Sequence, residues 1–167
     1  SNETSNLYEV IQALHPRVAV VAAAGNGASD VPVWPAAYDE VISVGALDES
    51  GSFTSEGTPP LAKFSNCGDW VDAYSAGVQV LGPFANFTET GHDIYGIRPP
   101  QQFRGWAQWS GTSFASAMVS GRIAQVAIEN DMNGADAAQK VLREAPKIFG
   151  DKAVWISRRR LATPLIG

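Results

Sequence analysis

Apolar positions along the chain follow two periods, one helical and one extended, interrupted by glycine, proline and small polar residues. Leu7, Val10, Ile11 and Leu14 recur at spacings of three and four, which predicts a helix from Asn6 to Leu14 with Ser5 as its N-cap. His15-Pro16 ends it, because the residue before proline is pushed out of the helical region. Val18 to Ala24 is a continuous apolar run without alternation, the pattern of a parallel strand covered on both faces. Glu40 to Gly45 has the same character. Further strands are expected around Ala62 to Phe64, Trp70 to Tyr74 and Ala153 to Ile156. A polar loop joins Gly51 to Pro60, and a long irregular excursion is expected from Phe84 to Gln108.

The longest helical pattern starts near Ser113 and runs to about Asn130. Small residues crowd its first half, and Met118, Ile123, Val126 and Ile128 make it apolar on nearly every face, as for a helix central to a core. A second helix is expected from about Ala135 to Ala145, with Ala138, Val141, Leu142 and Ala145 on one side. Asn133 or Asp136 caps it and Pro146 closes it. Strands alternating with helices in this order predict an α/β layered fold built on a parallel sheet, with chemistry beyond the carboxyl ends of the strands.

Composition narrows the function. The 167 residues are 45% hydrophobic and 17% charged, which suits a folded domain with a real core. The net charge of -5 provides no field for a phosphate backbone, so nucleic acid is not an expected partner; Arg158-Arg159-Arg160 reads as a solvated run. Cys67 is the single cysteine, so no internal disulfide and no thiolate zinc site can form. Asn86-Phe87-Thr88 has the form of a glycosylation acceptor.

Two segments carry candidate chemistry. In VVAAAGNGAS (Val20 to Ser29) a strand ends in Gly25-Asn26-Gly27, which brings a side-chain amide to the carboxyl edge of the sheet. An amide NH₂ donates hydrogen bonds without exchanging protons, which suits an oxyanion that develops only in a transition state. In SGTSFASAMVSG (Ser110 to Gly121), Gly111 and Thr112 lead into the long helix and put Ser113 in its first turn, beside free N–H groups and the positive helix end. Each segment alone also reads as plain structure: an Asn-Gly turn in the first case, a Thr112 or Ser113 N-cap in the second.

Together, VAAAGN and GTSFASAMVSG resemble the oxyanion-asparagine and nucleophile-serine blocks of the subtilisin-like serine proteases. WPAAYDEVISVGALD and LAKFSNCGDWVDAYSAG match, in order, the stretches that link those blocks. The resemblance runs from about Leu7 to Ala145. It implies a partial three-layer subtilisin-like fold lacking its N-terminal half, with all 167 residues forming the C-terminal part of one catalytic domain. It marks residues 82–108 as an insertion and 147–167 as a tail. By the same resemblance Ser113 is the nucleophile, Asn26 the oxyanion-hole amide, Gly25 and Thr112 belong to the substrate site, and Trp34-Pro35 is cis. It implies a secreted or cell-envelope protein acting on peptide or protein substrates. No cofactor is required, although Ala36, Tyr38, Val41 and Asp72 match a weak calcium site in which Trp70 replaces an acidic ligand.

Some positions depart from the family pattern: Ala117 stands where the nucleophile block has proline, and Ser75-Ala76-Gly77 where it has Ala-Pro-Gly. The family's aspartate and histidine precede the asparagine block. Of the two histidines present, His15 and His92, neither has the matching surroundings. A serine hydroxyl without a base is a poor nucleophile, so this chain alone is expected to be inactive. Absence of the upstream strands would also leave an open sheet edge, favouring association with the missing half or with itself. A degenerate peptide-binding or scaffold domain is the alternative. A lipase-like hydrolase is disfavoured for want of a Gly-x-Ser-x-Gly elbow.

Overall fold

In chain order the elements are α1 (Glu3–Leu14), β1 (Val20–Ala23), β2 (Val41–Leu47), β3 (Ala73–Ala76), β4 (Val80–Pro83), β5 (Phe87–Glu89), β6 (His92–Asp93), β7 (Gly96–Ile97), β8 (Gln101–Phe103), β9 (Trp106–Trp109), α2 (Thr112–Asn130), α3 (Gly134–Glu144), β10 (Lys147–Ile148) and β11 (Ala153–Ile156). This computed structural model describes residues 3–51, 53–55, 57–89, 92–93, 96–97, 100–149 and 153–157. The run Arg158-Arg159-Arg160 lies outside the described residues. The chain divides into two compact units, residues 1–78 with 111–167, and residues 79–110.

The larger unit is built on a sheet of order β1-β2-β3-β11-β10, in which β1, β2, β3 and β11 run parallel and β10 is antiparallel to β11. Side chains alternate between the two faces. Val44, Ala46, Ala73, Val154 and Ile156 join Ala115, Val119, Ile123 and Val126 of α2 and Ala137, Ala138 and Val141 of α3 in one core. Leu47, Tyr74 and Ala153 point the other way, into a smaller core closed by loop residues Leu61, Cys67 and Trp70. Gly45 is needed beneath Tyr74, because a Cβ there would lie 2.3 Å from the ring. The segment 147–156, part of the expected tail, supplies β10 and the interior strand β11.

Several expectations change in this unit. Helix α1 begins at Glu3, so Ser5 lies inside it rather than capping it; nothing in Glu3 to Ser5 stops propagation, which adds one bond per residue. The first strand is shorter than the apolar run, since Arg17 and Val18 N–H turn back to the Leu14 carbonyl. It is half-buried at the edge of the sheet, because no described strand pairs with its outer side. Ala62 to Phe64 is not a strand. One antiparallel bridge, Leu47 to Leu61, is all that pairs there, while the Ala62 N–H reaches the Ala46 carbonyl and the chain turns. Helix α2 buries one face only; Ala117, Ser120, Ala124 and Ile128 are exposed, Ile128 by 82%. Composition alone could not show that nothing described packs on that side.

Helix α3 follows the expected pattern. Asn133 is its N-cap, accepting the Asp136 N–H at 2.9 Å.

The smaller unit corrects the reading of an irregular excursion. It is a ribbon of three successive antiparallel ladders, β4 with β9, β5 with β8 and β6 with β7. Aromatic rings make it regular: Phe84, Phe87 and Phe103 pack on one another with centroids 5.0 to 5.6 Å apart. Trp106 and Trp109 are more than half exposed.

Candidate active site

The parallel strands deliver two segments to one edge. After β1 the Ala24 N–H still bonds the Val44 carbonyl, and the chain then leaves the sheet through Gly25 at φ +105°, a conformation that favours glycine. After β3, the Gly77 N–H bonds the Leu47 carbonyl and the Gly77 carbonyl receives the Gly111 N–H at 2.8 Å. That last bond sets the start of α2 at the carboxyl ends of the strands.

Thr112 joins the two segments. Its N–H and its hydroxyl both donate to Asn26 Oδ1 at 2.9 Å, while its hydroxyl oxygen accepts the Gly25 N–H at 3.2 Å. With Oδ1 so engaged, the Asn26 amide is oriented, and among the described residues nothing accepts from its Nδ2 in this exposed side chain. Gly111 supplies the N-cap position of α2 without any side-chain cap bond, so neither Thr112 nor Ser113 acts as a cap. Thr112 is fully buried, and the next residue, Ser113, is exposed. Among the described residues no group hydrogen-bonds the Ser113 hydroxyl. The site therefore pairs a fixed amide with an open hydroxyl at the positive end of a 19-residue helix.

A second brace holds the same loop from its other side, and the sequence reading missed it. Asn66 is 4% exposed. Its Nδ2 donates to the Ala24 carbonyl at 2.8 Å, and its Oδ1 accepts from Gly27 N–H at 2.9 Å and Ser29 N–H at 3.2 Å. The Asn66 N–H bonds the Gly25 carbonyl at 2.9 Å. Ser65 secures it in turn, taking the Ala46 N–H at 2.9 Å and donating to the Asn66 carbonyl at 2.8 Å. Within the sequence, Ser-Asn-Cys-Gly has the look of an ordinary turn; its only signal was membership of the block LAKFSNCGDW.

Other candidates lie elsewhere. His15 precedes β1 and lines a cavity of about 180 Å³ with Asp39, Glu40, Val41 and Asp72, at the end of β1 opposite Asn26. The His92 side chain is outside the described residues. Trp34-Pro35 is cis. Cys67 is a half-buried free thiol. Burial, with the Cys67 thiol beside it and partly offset by the Gly68 N–H, pushes the Tyr74 hydroxyl up to about 12.

The suggested calcium ligands offer a thin set. Asp72 Oδ2 already accepts the Ser43 N–H at 2.8 Å and hydroxyl at 2.7 Å, and the Tyr38 carbonyl takes the Val41 N–H at 3.0 Å. One partly committed carboxylate does not fit a cation that takes six to eight oxygens. Among the described residues, no group of three His, Cys, Asp or Glu side chains could hold a metal ion.

A parallel-sheet α/β unit with these groups at its carboxyl edge defines the architectural class. The chain belongs to the subtilase family of peptidases, whose family model matches residues 1–155. It is 37% identical over 131 residues to the thermophilic serine proteinase of Bacillus sp. (strain AK1), covering 78% of this chain and 26% of that protein. Thermitase of Thermoactinomyces vulgaris is 26% identical over 140 residues, covering 84% of this chain and 41% of that protein. The prenylagaramide maturation protease PagA is similar in structure, with TM-score 0.61 and 25% identity over 87% of this chain and 47% of that one. The chain thus spans less than half the length of each of these proteins. No described helix is long and apolar enough to cross a membrane.

Proposed function

We propose that the full-length protein is a serine endopeptidase in which Ser113 attacks the peptide carbonyl and Asn26 donates to the resulting oxyanion. The observation that carries this reading is the Thr112 bridge, which commits Asn26 Oδ1 and ties Asn26 to the residue that precedes Ser113 at the start of α2. Ser113 forms the acyl-enzyme by giving its proton to a histidine as its oxygen bonds to carbon. That proton then goes to the leaving amine, and water releases the acyl group by the same route. The histidine and its aspartate come from polypeptide outside these 167 residues, since His15 stands at the far end of β1. Gly25 contributes to the wall of the substrate pocket.

The test is turnover of a chromogenic peptide and labelling by a fluorophosphonate probe. Full-length protein should do both, Ser113→Ala neither, and the 167-residue chain alone little of either. Turnover that survives Ser113→Ala sinks the reading and leaves a peptide-binding scaffold in its place.

The rest of the catalytic domain also covers the outer side of β1 and the adjoining cleft of about 560 Å³, lined by Val18, Val20, Ser120 and Ala124. In its absence the edge promotes self-association. Light scattering of the 167-residue chain should find oligomers, and a monodisperse monomer would count against this. Secretion or attachment to the cell envelope fits such a peptidase.

A further inference from the structure

We infer that Asn66 is a positioning residue for catalysis, acting through the Gly25–Ser29 loop to aim the Asn26 amide; this rests on the protease reading above. Its hydrogen bonds fall on Ala24, Gly25, Gly27 and Ser29, on both sides of Asn26 and never on Asn26 itself. A residue that bonds the loop on both sides of the reactive position, with Ala28 held by the Phe64 carbonyl, fixes direction without touching substrate. Thr112 holds the amide head, whereas Asn66 holds the backbone from which it projects. The two restraints are complementary, because a tethered Oδ1 on a mobile backbone would still let Nδ2 swing.

The packing around Asn66 is as specific as its bonding. A Cβ on Gly25 would lie 2.7 Å from Asn66 Nδ2, and one on Gly27 would lie 3.3 Å from Oδ1. The glycines flanking Asn26 thus leave room for Asn66, and Gly25 also holds a backbone angle that favours glycine. Only an amide of this length supplies one donor and a doubly accepting oxygen in this space. Because Asn66 is buried, removing it strands two N–H groups and a carbonyl with no ready substitute. Misdirection of an oxyanion donor by even a fraction of its bond length acts on the transition state more than on the bound substrate.

The experiment compares Asn66→Ala and the isosteric Asn66→Asp in the full-length protein, singly and combined with Asn26→Ala. Asn66→Ala should lower kcat by about 10- to 100-fold with KM changed less than about twofold, the scale of a misplaced catalytic geometry. Asn66→Asp keeps the acceptor and loses the donor, and should fall between it and the parent. In the Asn26→Ala background, Asn66→Ala should cost less than about twofold more, because the group it positions is gone. Amide exchange at Gly27 and Ser29 should quicken in Asn66→Ala, which removes their acceptor, whatever its activity. A kcat unchanged by Asn66→Ala, a fully additive loss on top of Asn26→Ala, or unaltered exchange at Gly27 and Ser29 overturns the inference. Turnover indifferent to Ser113→Ala and Asn26→Ala overturns the protease reading instead, and the exchange measurement still decides whether Asn66 holds the loop.

Discussion

Thr112 donates twice to a single oxygen of Asn26, through its backbone N–H and its hydroxyl, each at 2.9 Å. The two residues are 86 apart in sequence, so the bond links the end of β1 to the first residue of α2 and makes one edge of the sheet a site. Because the hydroxyl also receives the Gly25 N–H, one buried oxygen organises both the loop and the amide it carries.

Thr112→Val tests that oxygen with little change in volume. The N–H bond to Asn26 survives, while the hydroxyl bond and the acceptor for Gly25 are lost. Full-length Thr112→Val should lose about tenfold in kcat, or about 1.4 kcal/mol of transition-state stabilisation, with KM little altered. Steady-state kinetics on a chromogenic peptide reads the difference. An equal loss confined to KM would assign Thr112 to substrate binding instead.

Gly25→Ala meets two obstacles at once. The backbone at φ +105° disfavours any side chain, and the new methyl would press on Asn66 Nδ2. The variant should be destabilised by about 1–3 kcal/mol or more, seen as a lower urea midpoint at unchanged slope. Stability equal to the parent would mean that the loop adopts another path.

Ser43 is fully buried within β2 and serves three partners. Its one hydroxyl proton is shared between the Trp70 carbonyl at 2.6 Å and Asp72 Oδ2 at 2.7 Å, and its oxygen accepts the Asp72 N–H at 2.9 Å. Ser43→Ala should cost about 1 kcal/mol in urea unfolding, since the Trp70 carbonyl loses its donor while Asp72 keeps its bonds to the Ser43 backbone. A change below about 0.5 kcal/mol, the range of neutral surface substitutions, would show that this network contributes little.

Tyr74 predicts a pH dependence with a definite sign. Its hydroxyl titrates at about 12 in the fold, above the roughly 10 of an unfolded chain. Between those values the folded state keeps a proton that the unfolded state has released. Stability therefore falls as pH rises from about 10 to 12, and this group contributes no slope below that window. Tyr74→Phe should flatten that part of the profile. Parallel profiles for parent and variant would refute the assignment.

Much of the fold was legible in the chain. The apolar run at Val18 to Ala24 and the Glu40 to Gly45 segment contain β1 and the start of β2, and Asn133 caps α3, because burial and capping leave local patterns. The ribbon at 79–110 was not legible, since its regularity comes from rings of Phe84, Phe87 and Phe103 that meet across strands. The single buried face of α2 was not legible either: periodicity says which residues can be covered, and only neighbours say which are.

By itself the sequence determined the family, the α/β class and the two segments bearing Asn26 and Ser113, because each depends on residues adjacent in the chain. Tertiary structure alone decided which groups aim the amide. Thr112 reaches Asn26 across 86 positions and Asn66 reaches Ala24 across 42. A hydrogen bond acts over about 3 Å of space, and no local pattern records which distant residues folding brings within that range.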